Sequence, residues 1–183
     1  VILLSPGQAP CNFSLKETPV TIQNAINAAL FVQFVYDNWG SNELSHNLDA
    51  RPVVTSHGAP LIVGKTYTVL KTIYTNDLAT AINPNRPIVE GYKTIGVVAV
   101  NDNDPGDVYI AIRGTSTIWE WLQDLNFLMK PFSNVSGSGL TEDGFTDMYQ
   151  SFSFTAGVCT GPSFIQQLAT VILRNLCTGM QFS

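Results

Sequence analysis

Charge and histidine are what this sequence has least of. Charged residues fill 13% of its 183 positions, with Lys+Arg 9 against Asp+Glu 14 and a net charge of −5. The isoelectric point is about 4.8. A lightly charged, acidic chain offers no basic patch for a nucleic acid and no polybasic membrane anchor. No apolar run approaches the roughly 18–20 residues that a spanning helix needs. The histidines are His46 and His57, and the cysteines Cys11, Cys159 and Cys177. None of the cysteines forms a CxxC pair, so no zinc spacing can be built. A bridge from Cys159 to Cys177 stays undecided, beside the alternative of buried, inert thiols. Val1-Ile2-Leu3-Leu4 has no initiator Met before it and no basic flank, so it does not make a signal peptide. The start fits a cleavage or an imposed boundary.

What is present describes a folded domain. Hydrophobic residues make up 45%, ordinary for a globular chain and too many for a disordered one. The length suits one domain. Low charge and the sequons Asn12-Phe13-Ser14 and Asn134-Val135-Ser136 lean towards a secreted or extracytoplasmic protein.

Residues 1–18 read as irregular, and Pro19 suits the first turn of a helix. Ile22, Ala25, Ile26, Ala29 and Leu30 come next at helical spacing, with Gly40 as a stop. Residues 40–64 read as loop, including both histidines. Tyr67 to Thr75 alternates like a strand, and Thr94 to Val100 reads as another. Asp104-Pro105-Gly106-Asp107 is a turn by composition. Val108 to Ile112 is apolar on both faces and reads as a central strand paired with the one before it. A calcium site at Asp102, Asp104 and Asp107 is the lesser reading, because the closing Glu of an EF-hand loop is absent. Ile118, Trp121, Leu122, Leu125 and Leu128 form one helical stripe. Residues 133–139 read as a flexible loop. Phe145, Met148, Tyr149 and Phe152 suggest a further helix. Gly161-Pro162-Ser163 opens another, with Ile165, Leu168, Ile172 and Leu176 on its core face and Gly179 at its end. Met180 to Ser183 reads as the start of a strand.

The most informative segment is Ile110-Ala111-Ile112-Arg113-Gly114-Thr115. After it come Trp119-Glu120-Trp121-Leu122-Gln123-Asp124-Leu125 and Asp143-Gly144-Phe145. An apolar strand ending in Arg-Gly-Thr places Thr115 at a strand's carboxyl edge, where open α/β sheets bind ligands. Its N–H and hydroxyl are then candidate oxyanion donors. The plain alternative is a strand-to-helix turn with Thr115 or Thr117 as an N-cap. Arg113 reads as structural, held by carboxylates or carbonyls under the turn.

This series, from Tyr67 to Ser183, resembles the class 3, fungal-lipase-like branch of the α/β-hydrolases. The resemblance implies an α/β fold: a mixed, mostly parallel sheet with flanking helices. It implies that residues 1–183 are one incomplete domain, the front part of an α/β-hydrolase truncated before the nucleophile elbow. It assigns Thr115 to the oxyanion hole. It assigns a lid to Thr117–Leu125, including Ile118, Trp119, Trp121, Leu122, Asp124 and Leu125. The implied activity of the parent protein is that of a serine ester hydrolase of the triacylglycerol lipase type. It would act on acylglycerols or other esters at a lipid–water interface, with no cofactor. Glu142 stands where that family often has His. No Ser lies in a Gly-x-Ser-x-Gly elbow, and both histidines precede every matched motif, against the triad order Ser, acid, His. The nucleophile, acid and base are therefore expected outside this sequence, and the chain alone is expected to be inactive. The alternative is a non-catalytic α/β binding module or an inert fragment.

Overall fold

The computed structural model describes residues 21–38, 46–76, 92–114, 129–131, 139–142, 149–156 and 164–179. Helix α1 spans Ile22–Asn38, where Ala25, Ala28, Ala29 and Leu30 are strong helix formers. Thr21 caps it. Its Oγ1 and its carbonyl accept the N–H groups of Asn24 and Ala25, each at 3.1 Å. At the other end Asn38 Nδ2 donates to the Phe34 carbonyl at 2.9 Å, satisfying an acceptor that a helix terminus leaves over. The early apolar spacing does not mark the core face: Ile22, Ala25, Ile26 and Ala29 are exposed. The buried stripe comes later, at Phe31, Phe34 and Val35.

Strands β1 (Tyr67–Asn76), β2 (Tyr92–Asn101) and β3 (Asp104–Ile112) come next, rich in Val, Ile, Thr and Tyr. They form one sheet of order β1-β2-β3, antiparallel throughout. This overturns the mostly parallel sheet of an α/β-hydrolase and, with it, the resemblance to class 3 lipases. The expected hairpin does form, but its turn is Asp102-Asn103, because Asn101 pairs with Asp104. Asn103 N–H donates to Asn101 Oδ1 at 2.9 Å. Pro105 lies inside β3. A residue with no N–H is tolerated there because β3 is an edge strand of this sheet and not its centre. The central strand is β2.

Leu70 and Ile95 are skipped in the β1–β2 pairing, so each strand carries a bulge. An extra residue turns the subsequent side chains to the other face. The sheet has an apolar cluster on each side. Phe31, Phe34 and Val35 of α1 pack with Val69, Val97, Ala99 and Ala111 on one. Ile73, Ile95, Val98 and Phe164 gather on the other, with Leu70, Val108 and Leu168 against them. Fully burying a side chain such as Phe31 is worth about 1.5–3 kcal/mol.

Phe164 and Leu168 belong to helix α2, Phe164–Gly179, which lies where the sequence pattern put a helix. Leu176 is buried as expected, while Ile165 is exposed and Phe164 takes its place. Between the sheet and α2, strands β4 (Met129–Pro131) and β5 (Leu140–Glu142) pair antiparallel. They bracket the segment read as a flexible loop. Cys177, on α2, is disulfide-bonded and so is no inert thiol. Its partner lies outside the described residues.

Candidate functional site

The two edges of the sheet are treated differently. Beside β1, Val53 N–H donates to the Tyr67 carbonyl, and Val69 N–H to the Arg51 carbonyl, both at 2.8 Å. Further along, Tyr74 and Ser153 exchange backbone bonds of 2.8 and 3.0 Å. The β1 edge is thus covered by 50–54 and by Ser153. No strand among the described residues pairs with the outer edge of β3.

Ladder geometry shows which groups that edge presents. Arg113 N–H donates to the Ile95 carbonyl at 2.8 Å. Backbone polar groups alternate along a strand, so Tyr109 and Ala111 also face β2. Val108, Ile110 and Ile112 then direct their N–H and C=O groups outward. Their side chains share the face of Val98, Gly96 and Ile73. Ile110 is 45% exposed and Ile112 40%, large for β-branched residues on an apolar face. From Val108 to Ile112 the strand has no charge and no proline, the usual guards of a free edge.

The strand is held rigid from its other side. Tyr109 stacks on Phe31 with ring centres 4.3 Å apart, and the Tyr67 ring meets both edge-on. At the amino end, Asp107 Oδ2 accepts from Lys65 Nζ at 2.7 Å, Tyr67 OH at 2.7 Å and Asn101 Nδ2 at 3.1 Å. Burial pushes the Asp107 carboxyl up, but these donors outweigh it and leave it below the usual carboxylate value. Burial and the neighbouring Asp107 raise the Tyr67 hydroxyl. At the carboxyl end, Arg113 is buried. Its Nε donates to the Thr94 carbonyl at 3.2 Å and Nη1 to the Gly114 carbonyl at 3.0 Å, the structural role expected of it.

The residues assigned to chemistry fare otherwise. Thr115, Thr117, Ile118, Trp119, Trp121, Leu122, Asp124 and Leu125 lie outside the described residues. Among the described residues there is no triad-like cluster and no oxyanion motif. Ser56 Oγ lies 3.2 Å from His57 Nδ1, but these are adjacent residues in an exposed turn, and no described carboxylate bonds the ring. His46 is a loop residue whose carbonyl accepts from Thr94 Oγ1 at 2.7 Å. With the antiparallel sheet, this overturns the assignment as a triacylglycerol-lipase-type ester hydrolase. Among the described residues no group of three or more His, Cys, Asp or Glu is placed to hold a metal. Asp104 Oδ1 accepts the Gly106 N–H at 3.0 Å and Asp107 bonds Lys65, and both lie in β3, next to the turn at Asp102-Asn103. No described helix is long and apolar enough to cross a membrane.

Sequence reasoning missed Ile110 and Ile112 as surface residues because it placed their strand at the centre. Pro105, just before the apolar run, was the available signal of an edge. No family model and no curated protein matches this chain.

Proposed function

We propose that the chain is a non-catalytic binding module that takes up an extended segment of polypeptide along β3. The carrying observation is the outer edge of β3, with Ile110 and Ile112 exposed on a strand buttressed by α1. An added strand gains main-chain hydrogen bonds from Val108, Ile110 and Ile112. Pockets beside alternate side chains supply selectivity. A rigid edge loses little entropy on binding.

A fluorescently labelled peptide spanning Asp107–Arg113, itself a β-former, is the probe. Its anisotropy is expected to rise on titration with the intact chain. Ile110→Lys places a charge on the docking strip and is expected to weaken binding at least tenfold. No binding at millimolar protein would overturn the proposal. The disulfide at Cys177 supports an oxidising, extracytoplasmic setting, because such bonds are rare in reducing compartments.

A further inference from the structure

We infer that the disulfide at Cys177 is closed by Cys11, making a redox-sensitive strap between the segment ahead of α1 and the end of α2. Cys177 is disulfide-bonded, and the sequence offers Cys11 and Cys159 as its partners. The course of the two helices along the sheet decides between them.

The helices run in opposite directions on opposite faces. In α1, Asn27 Nδ2 donates to Tyr109 OH at 3.4 Å, and a Cβ at Gly114 would lie 3.2 Å from Tyr36 OH. Helix α1 therefore follows β3 from start to end, and its own amino end lies towards the start of β3. In α2, Phe164 packs with Ile73 and Ile95, which stand beside the carboxyl end of β3. Asn175 Nδ2 reaches the Pro105 carbonyl at 3.2 Å, at the start of β3. Cys177 and the start of α1 thus come to the same end of the sheet.

Cys159 belongs to the other end. Ser153 pairs with Tyr74, and the Phe154 and Phe164 ring centres are 5.2 Å apart. The described chain before and after Cys159 is therefore fixed where α2 begins. Cys177 stands thirteen residues beyond Phe164, about 20 Å along the helix. The five residues back from Phe164 to Cys159 reach about 17 Å when fully extended, and bridged Cα atoms lie about 4.4–6.8 Å apart. A bond from Cys159 needs that run stretched along the helix, and a second stretched run from Phe154. Ten residues separate Cys11 from Thr21 and reach about 33 Å, enough to pass from face to face past helices about 10–12 Å across.

The bond encloses α1, the sheet and most of α2 in one loop, and longer loops restrict the unfolded chain more. To form it, two thiols give two protons and two electrons to a small-molecule disulfide, which leaves as two thiols. A dithiol reagent reverses the exchange. The fold is strengthened in an oxidising medium and weakened in a reducing one.

Disulfide mapping tests this. The oxidised chain is denatured without reductant, alkylated and cut with trypsin, which separates the three cysteines at Lys16 and Arg174. The expected result is the Cys11 peptide joined to the Cys177 peptide, with Cys159 alkylated. A Cys159–Cys177 cross-link, or an alkylated Cys177, overturns the strap. A dithiol is expected to lower the thermal midpoint of wild type and of Cys159→Ser by roughly 5–15 °C. Cys11→Ser is expected to melt at the lower midpoint already. A wild-type midpoint that the dithiol leaves unchanged overturns the redox response.

Discussion

At Gly96 the absence of a side chain decides whether β2 and β3 can approach. A Cβ there would lie 2.3 Å from the Ala111 carbonyl oxygen, and that atom belongs to a hydrogen-bonded backbone that cannot step aside. Gly96→Ala is expected to cost about 1–3 kcal/mol, read as a lower urea midpoint. Asp107 is the other residue with outsized influence. Its carboxyl sits below the ordinary 3.8, so its contribution is present above that pH and is lost as pH falls through the lower folded value. The Lys65 ammonium is raised above 10.5, first by its hydrogen bond to Asp107. Its contribution is present below that pH and lost as pH rises through the higher value. Wild type should therefore lose stability on acidification below pH 3.8. Asp107→Asn should lose less over the same range, in chemical denaturation at stepped pH. Equal acid slopes would remove Asp107 from the acid response.

At the level of elements, local chemistry sets boundaries and long-range packing sets faces. Thr21 caps α1, because its hydroxyl satisfies the Asn24 N–H, which has no helical partner. Thr21→Ala is expected to lower stability by about 1 kcal/mol, visible as a shift in the thermal midpoint. Helices and strands were legible wherever periodicity was strong. β1, β2 and α2 lie where the pattern put them. Which face they bury was less legible. The spacing at Ile22 and Ile26 is helical, yet the apolar packing on the sheet comes from the later part of α1. The bulges at Leu70 and Ile95 have no local signature that alternation can reveal, and each one switches the face of the residues after it.

For the molecule as a whole, the β3 edge that no described strand pairs is the feature with consequences. Among the described residues the β1 edge is capped and no strand pairs beyond β3, which leaves one edge to which a strand could add. The chain is expected to show no turnover of a chromogenic short-chain ester, because the Ser56–His57 contact joins adjacent residues of an exposed turn with no described carboxylate on the ring. Hydrolysis above buffer would overturn the binding-module reading. The Arg-Gly-Thr series was a short match on strand-and-turn chemistry, and strand direction was not part of it. An antiparallel ladder and a parallel one use the same apolar residues, so the motif was silent on the difference that decided against a hydrolase.

By itself the sequence determined the strands at Tyr67, Thr94 and Val108, the hairpin, α2 and the structural use of Arg113. These stem from local propensity, turn residues and the need of a guanidinium for acceptors. Only the tertiary structure decided that β3 lies at an edge and that the sheet is antiparallel. The same fold exposes Ile110 and Ile112 and pairs Asp107 with Lys65. Each of those depends on which groups stand beside a residue in space, and an apolar strand reads the same from either neighbour until the pairing is known.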